Sequence, residues 1–328
     1  MLALLQSNPG ESPNHMATST KRPWYMFYPL AGIILLSALW CGYWYIAFTG
    51  AKAFAQAKRQ DLLNHGLRLD CAEENWGGFP FRFEFQCEAA SLQLTNANET
   101  HTIQSTKILA VAQAYDPLHV ILLIDGPSAV NGVKLTHERA LVSIITGSTG
   151  DWEISSEAAK VDAAGLFSAD QVKLFARKAH GKLDLAGNAE TLVVHTTDIS
   201  ATSITKAELI AETSLAVLDQ PFRGPMTEET LEISALKISK GPIEFAAHGK
   251  IFLDSRHRLA GKLSSQTNDI EGLMKIISPI FDMNEPDRAA IKSLLADPNP
   301  KTAKADFTAS EGALYWDLFK LADLAPLY

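Results

Sequence analysis

Gly77-Gly78-Phe79-Pro80-Phe81-Arg82-Phe83-Glu84-Phe85-Gln86-Cys87-Glu88 alternates without interruption. Phe79, Phe81, Phe83, Phe85 and Cys87 share one parity; Pro80, Arg82, Glu84, Gln86 and Glu88 share the other. Successive side chains of an extended chain point to opposite faces, so the spacing predicts a strand with one packed and one wet face. The paired glycines supply a turn ahead of it, and Pro80, which has no N–H to donate, marks a strand start or an edge. Beyond Ala89-Ala90 the apolar parity slips to Leu92 and Leu94, which predicts a bulge.

Two cysteines, Cys71 and Cys87, bracket this segment. A pair enclosing one turn and one strand reads as a disulfide formed in an oxidising compartment. Two separate buried thiols are the alternative, and no His or Cys partner stands at metal-ligand spacing.

Working outward, alternating or apolar runs recur at 118–125, 133–138, 141–146, 172–176, 192–196, 231–239, 243–247 and 251–253. Asp125-Gly126-Pro127, Asn131-Gly132, Gly147-Ser148, Gly187-Asn188 and Lys240-Gly241-Pro242 separate most of them as turns. Short strands at this spacing predict a meandering antiparallel sheet. Three amphipathic helices are expected within it, at 206–219, 269–281 and 284–296; the last has Asn284 as its cap and Pro286 in its first turn. A faint repeat joins Ala179-His180-Gly181-Lys182-Leu183 to Ala247-His248-Gly249-Lys250-Ile251, with a shorter echo at Ala260-Gly261-Lys262-Leu263. It reads as a repeated strand junction or as chance among similar hairpins.

Towards the amino end, residues 23–51 carry no charge between Lys21-Arg22 and Lys52. A bilayer core of about 30 Å needs roughly 20 apolar helical residues, so the run is long enough to span. Trp24, Tyr25, Phe27 and Tyr28 at one end, and Trp40, Tyr43, Trp44, Tyr45 and Phe48 at the other, form two aromatic belts. The apolar core of a cleaved signal, about 7–15 residues, is much shorter, which favours an anchor. The expected organisation is a disordered tail at 1–23, a transmembrane anchor at 24–49, a juxtamembrane helix at 50–68 and a β-rich domain at 69–328. The fold class is mainly β with a few helices (α+β): one N-terminal transmembrane helix, then a large curved antiparallel sheet packed by amphipathic helices.

Lysine and arginine counts on the two sides of the anchor lean towards a cytoplasmic domain. The cysteine pair leans the other way, and the domain is placed outside the cytoplasm. A formal net charge of −8 over 328 residues argues against nucleic acid as a partner. Motifs for nucleophilic, metal and phosphate chemistry are missing from the chain: no Gly-x-Ser-x-Gly, Cys-x-x-Cys, His-Glu-x-x-His or phosphate loop occurs. The nine histidines are scattered; His180 and His248, which recur in the repeat, read as surface residues at strand ends. No catalytic, cofactor or metal residues are therefore assigned, and the expected role is non-enzymatic.

Ala38-Leu39-Trp40-Cys41-Gly42-Tyr43-Trp44, taken with Gly77-Gly78-Phe79-Pro80-Phe81-Arg82-Phe83, resembles the bacterial domain-of-unknown-function family 2125. The carboxyl-terminal Ser310-Glu311-Gly312-Ala313-Leu314 through Pro326-Leu327 is similar to its closing segment more loosely. The resemblance implies an inner-membrane anchor and a periplasmic domain, and it brings no catalytic residues. The strand–glycine pattern is also weakly similar to AsmA-like envelope proteins, which implies a long curved sheet with an apolar interior. The resulting expectation is a protein that meets the bilayer through its N-terminal helix. It would bind lipid or another apolar ligand on the face carrying Phe79, Phe81, Phe83 and Phe85, in envelope maintenance. The alternative is a non-catalytic envelope scaffold or protein-interaction module.

Overall fold

The computed structural model describes residues 24–64, 66–95, 100–147, 149–196, 199–214, 230–277, 289, 293, 303–317 and 319–325. It contains two compact units, Met1–Ile46 and Ala47–Tyr328. A short 3-10 turn, Trp24–Phe27, leads into α1, Tyr28–Asn64. At 37 residues, α1 is long and apolar enough to cross a membrane. The helix expected at 50–68 is the continuation of α1; it stops at Asn64, and the Gly66 N–H closes on the Leu63 carbonyl at 3.1 Å. The tail at 1–23 lies outside the described residues.

Among the described residues the second unit is built on a 17-stranded sheet. In chain order the strands are β1 (Leu67–Asp70), β2 (Glu73–Gly77), β3 (Arg82–Thr95), β4 (Thr100–Gln113), β5 (Asp116–Val130), β6 (Val133–Thr136), β7 (Ala140–Thr146), β8 (Trp152–Ala163) and β9 (Phe167–Ala179). They continue as β10 (Lys182–Thr196), β11 (Ile199–Ser214), β12 (Leu231–Lys240), β13 (Ile243–Leu253), β14 (Leu259–Thr267), β15 (Ala303–Ser310), β16 (Ala313–Trp316) and β17 (Phe319–Asp323). β1 and β2 lie end to end along one side of β3. From β3 onward each strand pairs antiparallel with its successor, with β6 and β7 lying end to end between β5 and β8. The meander continues from β9 to β17 in the same way.

The bulge read at Ala89 is one point on a crease that crosses the sheet. Ala89, Lys160 and Thr191 have positive φ (47°, 50° and 51°) in the middle of β3, β8 and β10. Thr106, Asp170 and Thr205 face them on β4, β9 and β11, where the ladders skip one pairing. All six are exposed. At each of them the inward parity changes: buried Cys87 gives way to buried Ala90, half-buried Ala158 to buried Val161, and buried Ala211 to buried Ile204. On β5 the extra residue at Gly126-Pro127 shifts the register between Ser105 and Lys107 and has the same effect. Because the switch occurs in neighbouring strands along one row, the most buried side chains stay on one face of the sheet despite the parity slips.

Several expectations change. Asp125-Gly126-Pro127 and Gly187-Asn188 are inside β5 and β10 and are not turns. The helix expected at 206–219 is β11 through Ser214, and 215–219 lie outside the described residues. Leu209 and Ile210 looked like a helical stripe. The ladders to β10 and β12 instead turn Ala207, Leu209, Ala211 and Thr213 inward, with Glu208, Ile210 and Glu212 on the other face. In the 269–281 region α2 is Ile270–Ile277; 278–281 lie outside the described residues. Asp269 caps α2, its carboxylate accepting the Gly272 N–H at 2.9 Å. The 284–296 helix falls outside the described residues except for Ala289 and Ser293, both helical.

The three copies of the apparent repeat do not share one geometry. Gly181 lies in the β9–β10 turn, whereas Gly249 and Gly261 sit mid-strand at φ 151° and 130°. A Cβ at Gly249 would stand 2.2 Å from the Lys262 carbonyl oxygen, and one at Gly261 2.2 Å from that of Lys250. These two glycines let β13 and β14 approach, a role that Gly181 does not share.

An ion pair ties two turns at one end of the sheet. The Asp254 carboxylate accepts N–H bonds from Arg256 and Arg258 at 2.8 and 3.0 Å and from the Arg258 guanidinium at 2.8–2.9 Å. Arg258 also donates to the Glu311 carbonyl at 2.9 Å. The Arg258 side chain, helped by these backbone N–H groups, holds the Asp254 carboxyl at about 2, below its ordinary 3.8. A depressed folded-state value means that this support is complete above the ordinary value and disappears as pH falls through about 2. Carboxyl NMR is expected to place the Asp254 midpoint near 2 in the native chain and to return it towards 3.8 in Arg258→Gln. A native midpoint already at the ordinary value would remove the clamp.

Candidate functional site: the apolar face of the sheet

Cross-strand partners share a face, so the registers trace rows across the sheet. One row begins at Phe83 and passes through Ala112, Val120, Ile144, Ile154, Ala176 and Leu185. It continues through Ala211, Ile233, Gly249, Leu263 and Phe307 to Trp316. Every member is apolar, and at about 4.8 Å per strand the row runs about 58 Å along the sheet. A second row starts at Phe85 and includes Ala110, Leu122, Val142, Ser156, Leu174, Gly187, Leu209 and Leu236. From Ala112 to Leu185 the first row is only partly buried, and Leu174 in the second is 57% exposed.

The described helices reach this face at its two ends. Phe48 of α1 has its ring centroid 6.4 Å from both Phe83 and Trp76, and Trp76 lies 4.7 Å from Phe85. At the other end Leu273 and Met274 of α2 form a buried cluster with Phe245, Ala247, Trp316 and Leu321.

The opposite face is mixed: Val111, Ile121, Phe175 and Ile210 share a row on it, and cross-strand ion pairs stand beside them, Lys107–Glu88 at 3.1 Å, Arg177–Asp184 at 2.6 Å, Lys182–Glu212 at 2.7 Å and Lys250–Glu232 at 3.1 Å. Exposed pairs of this kind contribute little stability, but they keep their own part of that face wet. Two open cavities, about 400 and 580 Å³, lie on it around His248, beside the Lys262–Asp306 pair. Lys262 holds the Asp306 carboxyl below its ordinary value.

Two of the four phenylalanines read as the apolar face are on it. Phe83 is 8% exposed and Phe85 is partly buried. Phe79 and Phe81 precede β3, in a turn closed by the Arg82 N–H on the Gly78 carbonyl at 3.0 Å, and are 59% and 64% exposed. Alternation alone does not separate a strand from the extended turn ahead of it; Pro80 was the signal for a later start. Cys71 and Cys87 form a disulfide, with Cα atoms 5.3 Å apart. The rest of the row was visible only in pieces, because the chain of pairings that links β3 to twelve further strands is carried by registers and not by any local motif.

Chemical constellations are sparse among the described residues. Ser128 Oγ meets His137 Nε2 at 2.8 Å, and His119 Nε2 meets Ser143 Oγ at the same distance. The remaining ring nitrogen of His137 faces the Glu138 carbonyl and not a carboxylate, so the pair lacks the orienting acid of a nucleophilic triad. His180, in the β9–β10 turn, is far along the chain's ladders from His248 in β13. The described residues include no group of three or more His, Cys, Asp or Glu placed to hold a metal.

None of the curated proteins compared matches the chain. A family model does match, over residues 44–324, that of DUF2125, described as an uncharacterized protein conserved in bacteria. The matched span takes in the carboxyl half of α1, the disulfide and all of the strands that build the apolar rows, and on that coverage the chain belongs to the DUF2125 family.

Proposed function

We propose that this DUF2125 protein is a single-pass protein of the bacterial inner membrane whose sheet lies in the periplasm and holds a lipid, or another apolar ligand, in envelope maintenance. The observation that carries this reading is the unbroken apolar row from Phe83 to Trp316, left partly exposed along its middle. Contiguous exposed apolar area beyond a few hundred Å² is rare on soluble monomers and marks a binding surface. α1, long enough to span a bilayer, keeps that surface beside a source of lipid. The Cys71–Cys87 bridge supports an oxidising compartment. The likeness to AsmA-like envelope proteins belongs to the same proposal, as does a role without catalysis.

Native mass spectrometry of the gently solubilised full chain tests it. The expected result is a mass excess released as lipid. Leu174→Asp places a carboxylate on the exposed part of the face and is expected to weaken retention about tenfold, at a cost of about 1.4 kcal/mol or more. Leu174→Met is expected to retain the ligand. A clean apo mass, repeated from lipid-rich extracts, would shift the reading to a scaffold or protein-interaction module.

A further inference from the structure

We propose that the turn at 78–81 and the adjoining β4–β5 turn form a second membrane contact, with Phe79, Phe81, Tyr115 and Leu118 resting in the headgroup boundary of the bilayer. This rests on α1 being a bilayer anchor; it does not depend on a bound ligand.

The four side chains are 59%, 64%, 71% and 53% exposed, in the same order. The two turns are joined: the Ala114 N–H donates to the Phe81 carbonyl at 2.9 Å, and Ala114 itself is fully buried. Large aromatic residues on a turn tip gain little in water. At the headgroup boundary their rings are favoured.

Chain connectivity sets where this tip stands. Counting 20 residues of α1 from Tyr28, at 1.5 Å each, gives about 30 Å, the thickness of a hydrocarbon core. That count ends at Ala47, and the next residue, Phe48, packs on Phe83 and Trp76. Phe83 follows Phe81 by two residues and pairs with Ala112, which precedes Ala114 by two. The chain therefore enters the sheet unit at the end that carries the aromatic tip. The other ends of these strands are about 43 Å away along β4, taking 13 residues at 3.3 Å each.

Depth measurement by spin-label relaxation separates the cases. The full chain is reconstituted in phosphatidylethanolamine–phosphatidylglycerol vesicles under non-reducing conditions, which preserve the Cys71–Cys87 bridge. Labels are placed by Phe79→Cys, Tyr115→Cys or Lys134→Cys in a Cys41→Ser background; the native chain is labelled at the exposed Cys41 of α1. Labels at 79 and 115 are expected to relax with dissolved oxygen and to lose relaxation by a water-soluble nickel chelate, while the label at 134 shows the reverse. Native hydrogen exchange of the β4–β5 turn, slower in vesicles than in detergent, checks the contact without substitution. Labels at 79 and 115 as open to nickel as that at 134, with Cys41 in lipid, would overturn the tip contact and leave the anchor standing. A Cys41 label open to nickel would remove both.

Discussion

Breaking the Cys71–Cys87 bridge is expected to cost the sheet unit about 3 kcal/mol, the chain-entropy value for a loop of about 15 residues. The two cysteines are 16 apart in sequence. Their position explains why the bridge matters. β1 and β2 are four and five residues long and meet at Cys71, beside the parity switch at Ala89. Short strands on the side of β3 have few ladder bonds of their own, and Cys87, 1% exposed, fixes their junction to the core side of β3. Cys71→Ala, Cys87→Ala and the double substitution should therefore lose nearly the same stability, seen as a melting temperature about 6–12 °C lower for a unit of this size. Two single losses that add in the double variant would show that the thiols act separately. Alkylation in intact cells gives the second reading. Thiols at 71 and 87 that react without prior reduction would place the sheet in a reducing compartment and remove the periplasmic assignment, whatever the purified protein's stability.

Local alternation was enough to identify β3, the bulge after Cys87 and parts of β5, β6, β7, β9, β10, β12 and β13, because side-chain parity is a property of a few consecutive residues; β4, β8 and β14 to β17 were not read from it. The disulfide was legible for a similar reason: Cys71 and Cys87 bracket one short segment, which folds as the hairpin of β2 and the first part of β3. Other features depend on partners distant in sequence. Ala207–Thr213 carries Leu209 and Ile210 side by side, which fits a helical stripe as well as a strand, and only ladders on both flanks decide between them. Gly126-Pro127 and Gly187-Asn188 have turn composition, yet both sit within strands. The first is the extra residue of the crease; the second packs Gly187 opposite Leu174 and Leu209. The crease itself was visible at Ala89 alone. At Lys160 and Thr191 a polar residue shifts the parity without a glycine or proline to announce it. The candidate site follows the same division: Phe83 and Phe85 were named from the sequence, while the row they begin is a sum of registers.

Trp316→Ala is expected to cost about 3–5 kcal/mol, the range for emptying a buried tryptophan site. Trp316 is 1% exposed and ends the apolar row; its ring stacks on Phe307 at 5.4 Å with an interplanar angle of 12°. Around it Phe245, Leu273, Met274 and Leu321 bring α2 onto the sheet, so the cavity would form where the helix is seated. Trp316→Phe should behave differently. The indole Nε1 has no hydrogen-bond partner among the described residues, and a buried donor left unmade costs about 1–3 kcal/mol. Phenylalanine removes that donor along with part of the ring, and the two effects offset, leaving an expected net loss below about 1.5 kcal/mol. Urea unfolding of the full chain measures both. Equal losses for Ala and Phe would mean that the indole N–H is satisfied in solution and that packing is not what Trp316 supplies. The comparison also bears on the ligand reading. If the partly exposed middle of the row is what holds lipid, Trp316→Ala should lower stability while retention, governed by the surface around Leu174, persists in the fraction that stays folded.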